Sequence, residues 1–126
     1  MRGADMKIYE ADLHKAVADL LDVALMPPAV WTTFPAGWGQ LGKAVAGRLK
    51  AAGLKPGFPD ILIFCNGTCV GIELKAPEGT LSMEQTDMFR RLASAGVKIH
   101  VCRSQTDVLN ALRRENLPVR NLGYAA

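Results

Sequence analysis

Ile61-Leu62-Ile63-Phe64-Cys65-Asn66-Gly67-Thr68-Cys69-Val70-Gly71-Ile72-Glu73-Leu74-Lys75 is a pair of β-rich runs about an Asn-Gly step, the strongest short-range signal for a hairpin closed by a two-residue type I′ turn. With Asn66 and Gly67 as the loop residues, Cys65 faces Thr68, Ile63 faces Val70, Ile61 faces Ile72 and Asp60 faces Glu73. Residues opposed across a hairpin share a face, and like charges placed there repel. Lys75 lies two residues beyond Glu73 and so shares that face, while Leu74 turns to the other side with Ile61, Ile63 and Ile72. Two acids and a lysine therefore converge. Hard divalent cations favour one or two carboxylates together with water and phosphate oxygens, and a neighbouring lysine can orient water or stabilise charge on phosphorus. This is the chemistry of phosphodiester hydrolysis.

A solvated cluster of surface ion pairs has the same residue types, and exposed pairs are common and weak. Against it, Leu62 and Phe64 share the carboxylate face and the opposite face is apolar, so both faces read as covered by helices. Outward from the hairpin, Tyr9, Leu13, Ala16, Val17, Leu20 and Ala24 have helical spacing and predict a first helix from about Lys7 to Leu25, stopped by Pro27 and Pro28. Ala29 to Phe34 reads as a strand, followed by a loop at Pro35, Gly37 and Gly39. Gln40 to Ala52 reads as a second helix, with Gly53 suited to a left-handed cap. Downstream, Ser82-Met83-Glu84-Gln85 is a capping-box pattern ahead of a helix built on Met88, Phe89, Leu92 and Ala95 and ending near Gly96. Val97 to Cys102 reads as a buried strand, and Ser104 to Glu115 as a closing helix with Val108, Leu109 and Leu112 inward. The expected fold is α/β: one domain over residues 1–126, with a central mixed sheet flanked by helices.

Composition sets limits without naming a chemistry. The chain has 126 residues, 49% hydrophobic and 21% charged, the balance of an ordinary domain with one core. A net charge of +3 permits a polyanionic partner without demanding one. No apolar run approaches the roughly 20 residues of a membrane span, and no targeting pattern opens the sequence. Three cysteines without repeated spacing point to reduced thiols and a cytoplasmic setting. Zinc on Cys65, Cys69, Cys102, His14 and His100 is disfavoured, because the register puts Cys65 and Cys69 on opposite faces and no Cys-x-x-Cys pair occurs. Neither histidine has a visible nucleophile partner for a serine or cysteine hydrolase.

Gly57-Phe58-Pro59-Asp60-Ile61-Leu62-Ile63, then Gly71-Ile72-Glu73-Leu74-Lys75, then Gln85 resemble the motif series of the PD-(D/E)XK nuclease superfamily, specifically its VRR-NUC (virus-type replication-repair nuclease) branch. The likeness runs from about Tyr9 to Ser104. It implies a restriction-endonuclease-like core in which Asp60, Glu73 and the carbonyl of Leu74 bind Mg²⁺ or Mn²⁺, with Lys75 as the lysine of the motif. It further implies a metal-linked acid on the first helix, where Glu10 is the matching position. Glu10, His14, Val17 and Leu21 lie on one stripe, so Glu10 can face the sheet; a glutamate near a helix N-terminus also favours the helix dipole. His14 reads as a boundary residue. Gln85 has two readings, a helix cap and, by resemblance, a group near the active site.

The expected partner is DNA, with branched or four-way-junction DNA suggested by resemblance to stand-alone phage forms. Lys43, Arg48, Lys50, Lys55, Arg90 and Arg91 are candidate phosphate contacts, although such residues often only solubilise a helix face. Paired cuts across a symmetric junction need two sites, hence an expected homodimer. The segment Pro27 to Trp38, with Trp31, Phe34 and Trp38, has interface-like aromatic content and equally suits packing within one subunit. Two other classes stay open at this level, a nucleic-acid-binding module without nuclease activity and an interaction protein using the basic helices on an acidic partner; within the nuclease class, an RNA or flap nuclease is the alternative.

Overall fold

The Asn-Gly step does what its chemistry favours: Asn66 and Gly67 both take positive φ, 49° and 79°, and join two antiparallel strands in the expected register. A computed structural model describes residues 2–34 and 42–122 of the chain. The elements run α1 (Gly3–Ala24), β1 (Val30–Thr33), α2 (Lys43–Ala51), β2 (Ile61–Cys65), β3 (Thr68–Leu74), α3 (Met83–Ser94), β4 (Lys98–Cys102) and α4 (Gln105–Arg114). The sheet order is β1-β2-β3-β4, with the first two pairings antiparallel and β3 parallel to β4. A mixed four-stranded sheet with four helices about it is the α/β fold expected.

Alternation along the strands divides the side chains between two faces. Ile61, Ile63, Val70, Ile72 and Leu74 enter one core with Val17, Leu21 and Ala24 of α1 and Val108, Ala111 and Leu112 of α4. The other face carries Leu62, Gly71, Glu73 and Lys75 and meets α3, which buries Met88. This second face is less covered than expected. Phe64, beside the hairpin turn, stays 44% exposed, because α3 meets the Glu73–Lys75 end of β3 and leaves the turn end open.

Boundaries moved at several ends. The first helix begins at Gly3 rather than near Lys7, Gly3 to Met6 adding about one turn. The second helix buries none of its residues; Gln40 and Leu41, expected at its start, lie outside the described residues. It does end at a left-handed Gly53, φ 108°. Ser104 is the N-cap of α4 rather than its first residue, its side chain accepting from Asp107 N. Trp31 packs against the subunit's own core, and Phe34 tilts against Phe58 at 5.6 Å between ring centres. Both rings stay partly exposed; Trp38 and the loop residues Pro35, Gly37 and Gly39 lie outside the described residues. Among the described residues, no helix is long and apolar enough to cross a membrane.

Candidate active site

Asp60 sits one residue before β2, at the end of the sheet where β3 delivers Glu73 and Lys75. Its position is set by close packing of the Gly57-Phe58-Pro59 segment. Gly57 has φ 87°, and a Cβ there would stand 2.6 Å from the carbonyl oxygen of Glu84 on α3. Pro59 is buried and lies over Gly71, where a Cβ would meet Pro59 Cγ at 2.8 Å. The two motif glycines thus let the loop sit down on α3 and on β3. The carbonyl of Asp60 is held by β1, accepting from Thr33 Oγ1 at 2.9 Å and Phe34 N at 3.2 Å. Its carboxylate Oδ2 accepts from Leu74 N at 2.8 Å.

Glu73 is 2% exposed, the one charged side chain in the core among the described residues. Lys75 Nζ stands 3.1 Å from its Oε2, and Gln85 Nε2 donates to the same oxygen at 2.9 Å. Gln85 Oε1 accepts from Lys75 Nζ at 3.1 Å and from the backbone N of Ser82 at 3.0 Å. An amide oxygen facing two donors and an amide nitrogen facing a carboxylate can stand only one way round. The two readings of Gln85 are therefore one arrangement: the side chain closes the capping box of α3 and joins Glu73 to Lys75.

Glu73 Oε1, by contrast, is buried with no hydrogen-bond partner. Burial raises the carboxyl of Glu73 from its ordinary 4.5 to about 7, with the Asp60 charge adding to the rise and Lys75 opposing it. Asp60 is raised as well, first by its own burial, against the Leu74 N–H and the charges of His14 and Lys75, which lower it. Two neighbouring carboxyls that ionise reluctantly, one with a bare oxygen, leave a deficit of positive charge. A hard divalent cation would fill it. The donor set fits: carboxylate oxygens of Asp60 and Glu73 beside the Leu74 peptide, whose N–H already ties Asp60 to β3.

Glu10 faces the sheet, as the stripe on α1 suggested, but its Oε2 accepts from Ala76 N at 2.9 Å, one residue beyond Lys75. Among the described residues no three His, Cys, Asp or Glu side chains gather as a ligand set. Glu10 still acts on the site through its charge, which raises Asp60. His14 Nε2 meets Thr33 Oγ1 at 2.9 Å, so it borders the site. Thr33 was not singled out from sequence; it needed the pairing of β1 with β2, which residue pattern alone does not give. Arg103, directly after β4, was also missed: its guanidinium meets the carbonyls of Ala76, Pro77 and Gly79. A lone arginine after a strand carries no signal of its own.

Of the six basic candidates, Lys43, Arg48, Lys50, Lys55, Arg90 and Arg91 are all exposed. None joins the carboxylate cluster. Cys65, Cys69 and Cys102 are free thiols. Burial pushes the thiol of Cys102 up to about 12, so it stays protonated.

The description of the VRR-NUC domain family matches residues 34–106, more than half of the chain, from the end of β1 through the Asp60, Glu73, Lys75 and Gln85 cluster to the start of α4. Glu10 and the rest of α1 precede the matched part. Among curated proteins none matches the sequence. A solved structure described as a "VRR_NUC domain protein" is similar with a TM-score of 0.60 at 18% identity, over 82% of this chain and 84% of that one, a likeness of fold. The chain therefore belongs to the VRR-NUC domain family, and a nuclease-type function comes with that membership.

Proposed function

We propose that the chain is a divalent-metal-dependent endonuclease that hydrolyses DNA phosphodiester bonds. The observation that carries this reading is Glu73, a charged group in the core with one oxygen unpartnered, beside a second raised carboxyl and a lysine. Asp60, Glu73 and the carbonyl of Leu74 would hold Mg²⁺ or Mn²⁺. Such an ion supplies Lewis-acid polarisation of the phosphoryl group and favours ionised water at neutral pH. The chain's own residues do the orienting. Lys75 Nζ has three N–H donors, of which Glu73 and Gln85 take two, leaving one for a water or a phosphate oxygen. Gln85 stiffens that lysine, so the donor is aimed before substrate arrives. Hydrolysis adds the oxygen of water to phosphorus and breaks the bond to the leaving sugar oxygen, which takes up a proton. The basic side chains of α2, Lys55 and α3 are offered to the DNA backbone, whose charge dominates non-specific affinity.

Branched or four-way-junction DNA is the substrate class we favour, cut in symmetric pairs by a homodimer, since the described residues of one chain carry one such cluster. The test is cleavage of labelled linear duplex, flap, four-way-junction and RNA substrates with EDTA, Mg²⁺ or Mn²⁺, alongside light scattering at micromolar concentration. Metal-dependent, paired cuts in the junction by a dimer are expected, and Asp60→Asn should abolish them. A protein that binds these substrates and cuts none with either metal is a binding module, and cleavage restricted to RNA or flaps would replace the junction reading.

A further inference from the structure

The turn after Lys75 is held from two sides. Ala76-Pro77-Glu78-Gly79 closes on a hydrogen bond from Gly79 N to Ala76 O of 2.9 Å, with proline second and glycine fourth, as β-turns favour. On one side stands Glu10, which accepts from Ala76 N and whose Oε2 would lie 3.0 Å from a Cβ at the buried Gly79. From the other side Arg103 Nη1 donates to Ala76 O at 2.6 Å and Gly79 O at 2.8 Å, with Pro77 O at 3.3 Å. Carbonyl dipoles gathered in so tight a turn repel one another, and a permanently charged guanidinium at their focus offsets that repulsion. Arg103 is itself anchored. Its backbone N donates to Asp107 Oδ2 at 2.9 Å, and the preceding carbonyl, of Cys102, accepts from Lys75 N at 3.0 Å.

What this turn spaces is the site. It joins Lys75, at the end of β3, to the start of α3, where Ser82 and Gln85 close the capping box and Gln85 bridges Lys75 and Glu73. If the turn relaxes, α3 keeps its cap but its register against β3 is left to the packing of Gly57 on Glu84 and Met88. Displacement of a reacting group by about 1 Å can cost on the order of a hundredfold in rate.

We propose that Arg103 is a positioning residue of the nuclease site: by gathering the carbonyls of Ala76, Pro77 and Gly79 it fixes the turn that sets Gln85 against Lys75 and Glu73. The role rests on the nuclease reading above, and the test separates the two. Arg103→Met and Arg103→Lys are compared with wild type in metal-dependent cleavage and, independently, by the side-chain amide resonance of Gln85 in ¹⁵N NMR without metal. Arg103→Met should lower kcat by about ten- to a hundredfold with KM for DNA within about twofold, and should move the Gln85 resonance toward its free position. Arg103→Lys, which keeps the charge but not the planar guanidinium, should fall between. Core amides such as those of Ile63 and Val70 report whether each variant is folded; should Arg103→Met fail to fold, the lysine variant carries the test. An unmoved Gln85 resonance in folded variants, or a loss confined to KM, overturns the proposal. A wild type that cleaves nothing overturns the nuclease reading, while the resonance still decides the position of Gln85.

Discussion

Replacing Glu73 by glutamine should remove most of the pH dependence of stability in metal-free protein. In the unfolded chain Glu73 gives up its proton near 4.5, whereas in the folded chain it holds it to about 7. Between those values the folded state binds more protons, so the free energy of unfolding falls as pH rises. The favourable state is fully present below 4.5 and lost as pH passes through about 7. At about 1.4 kcal/mol per pH unit, the rise corresponds to a loss of about 3 kcal/mol, or about 10 °C in Tm for a domain of this size. Glu73 is almost fully shielded from solvent, so the figure needs no large discount for screening. Glu73→Gln keeps an acceptor for Gln85 and has nothing to ionise. Denaturant melts in EDTA at pH 5, 6, 7 and 8 should show the slope in wild type and, in the variant, only what Asp60 contributes. The slope is the readout, because the variant also leaves Lys75 without its charged partner and so shifts absolute stability at every pH. Equal slopes in the two proteins would refute the assignment of a buried carboxyl that ionises reluctantly.

Lys75→Met should leave the Kd for DNA within a few fold and lower single-turnover cleavage by about a hundredfold or more, the scale of one positioned donor; normal cleavage would make the lysine structural. Gly71→Ala places a Cβ at 2.8 Å from buried Pro59 Cγ, so it should lower stability by about 1–3 kcal/mol in denaturant melts and weaken metal binding by displacing Asp60. Gly57→Ala meets backbone at 2.6 Å and a left-handed φ as well, and should be the more costly of the two in the same melts.

The hairpin was legible because its turn chemistry is local: Asn66 and Gly67 fix the register, and register alone puts Asp60 opposite Glu73 with Lys75 on the same face. The capping box was legible for the same reason, since Ser82 and Gln85 are three residues apart. What sequence did not give was the joining of elements distant in the chain. That Gln85 also bridges Lys75 and Glu73 depends on how α3 docks, and the docking depends on Gly57 lying against Glu84 and Met88. Glu10 reaches the sheet as its stripe suggested, yet its partner is the Ala76 N–H, sixty-six residues away, which no spacing rule names. The aromatic content of Trp31 and Phe34 suited an interface and a core equally, and pairing of β1 with β2 turned Trp31 inward. The open end of the second face, at Phe64, was misread because apolar alternation reports preference for burial and not the length of the covering helix.

Metal-linked stability of wild type against Asp60→Asn tests the central claim most directly. An ion that binds only the folded site raises stability by an amount that grows with its concentration over Kd, by about 2.7 kcal/mol at a hundredfold excess. Thermal melts across a Mg²⁺ or Mn²⁺ titration should show that rise in wild type, most strongly above pH 7 where Glu73 is ionised, and little of it in Asp60→Asn. An equal rise in both proteins, or none in either, would contradict a metal centre built on Asp60 and Glu73.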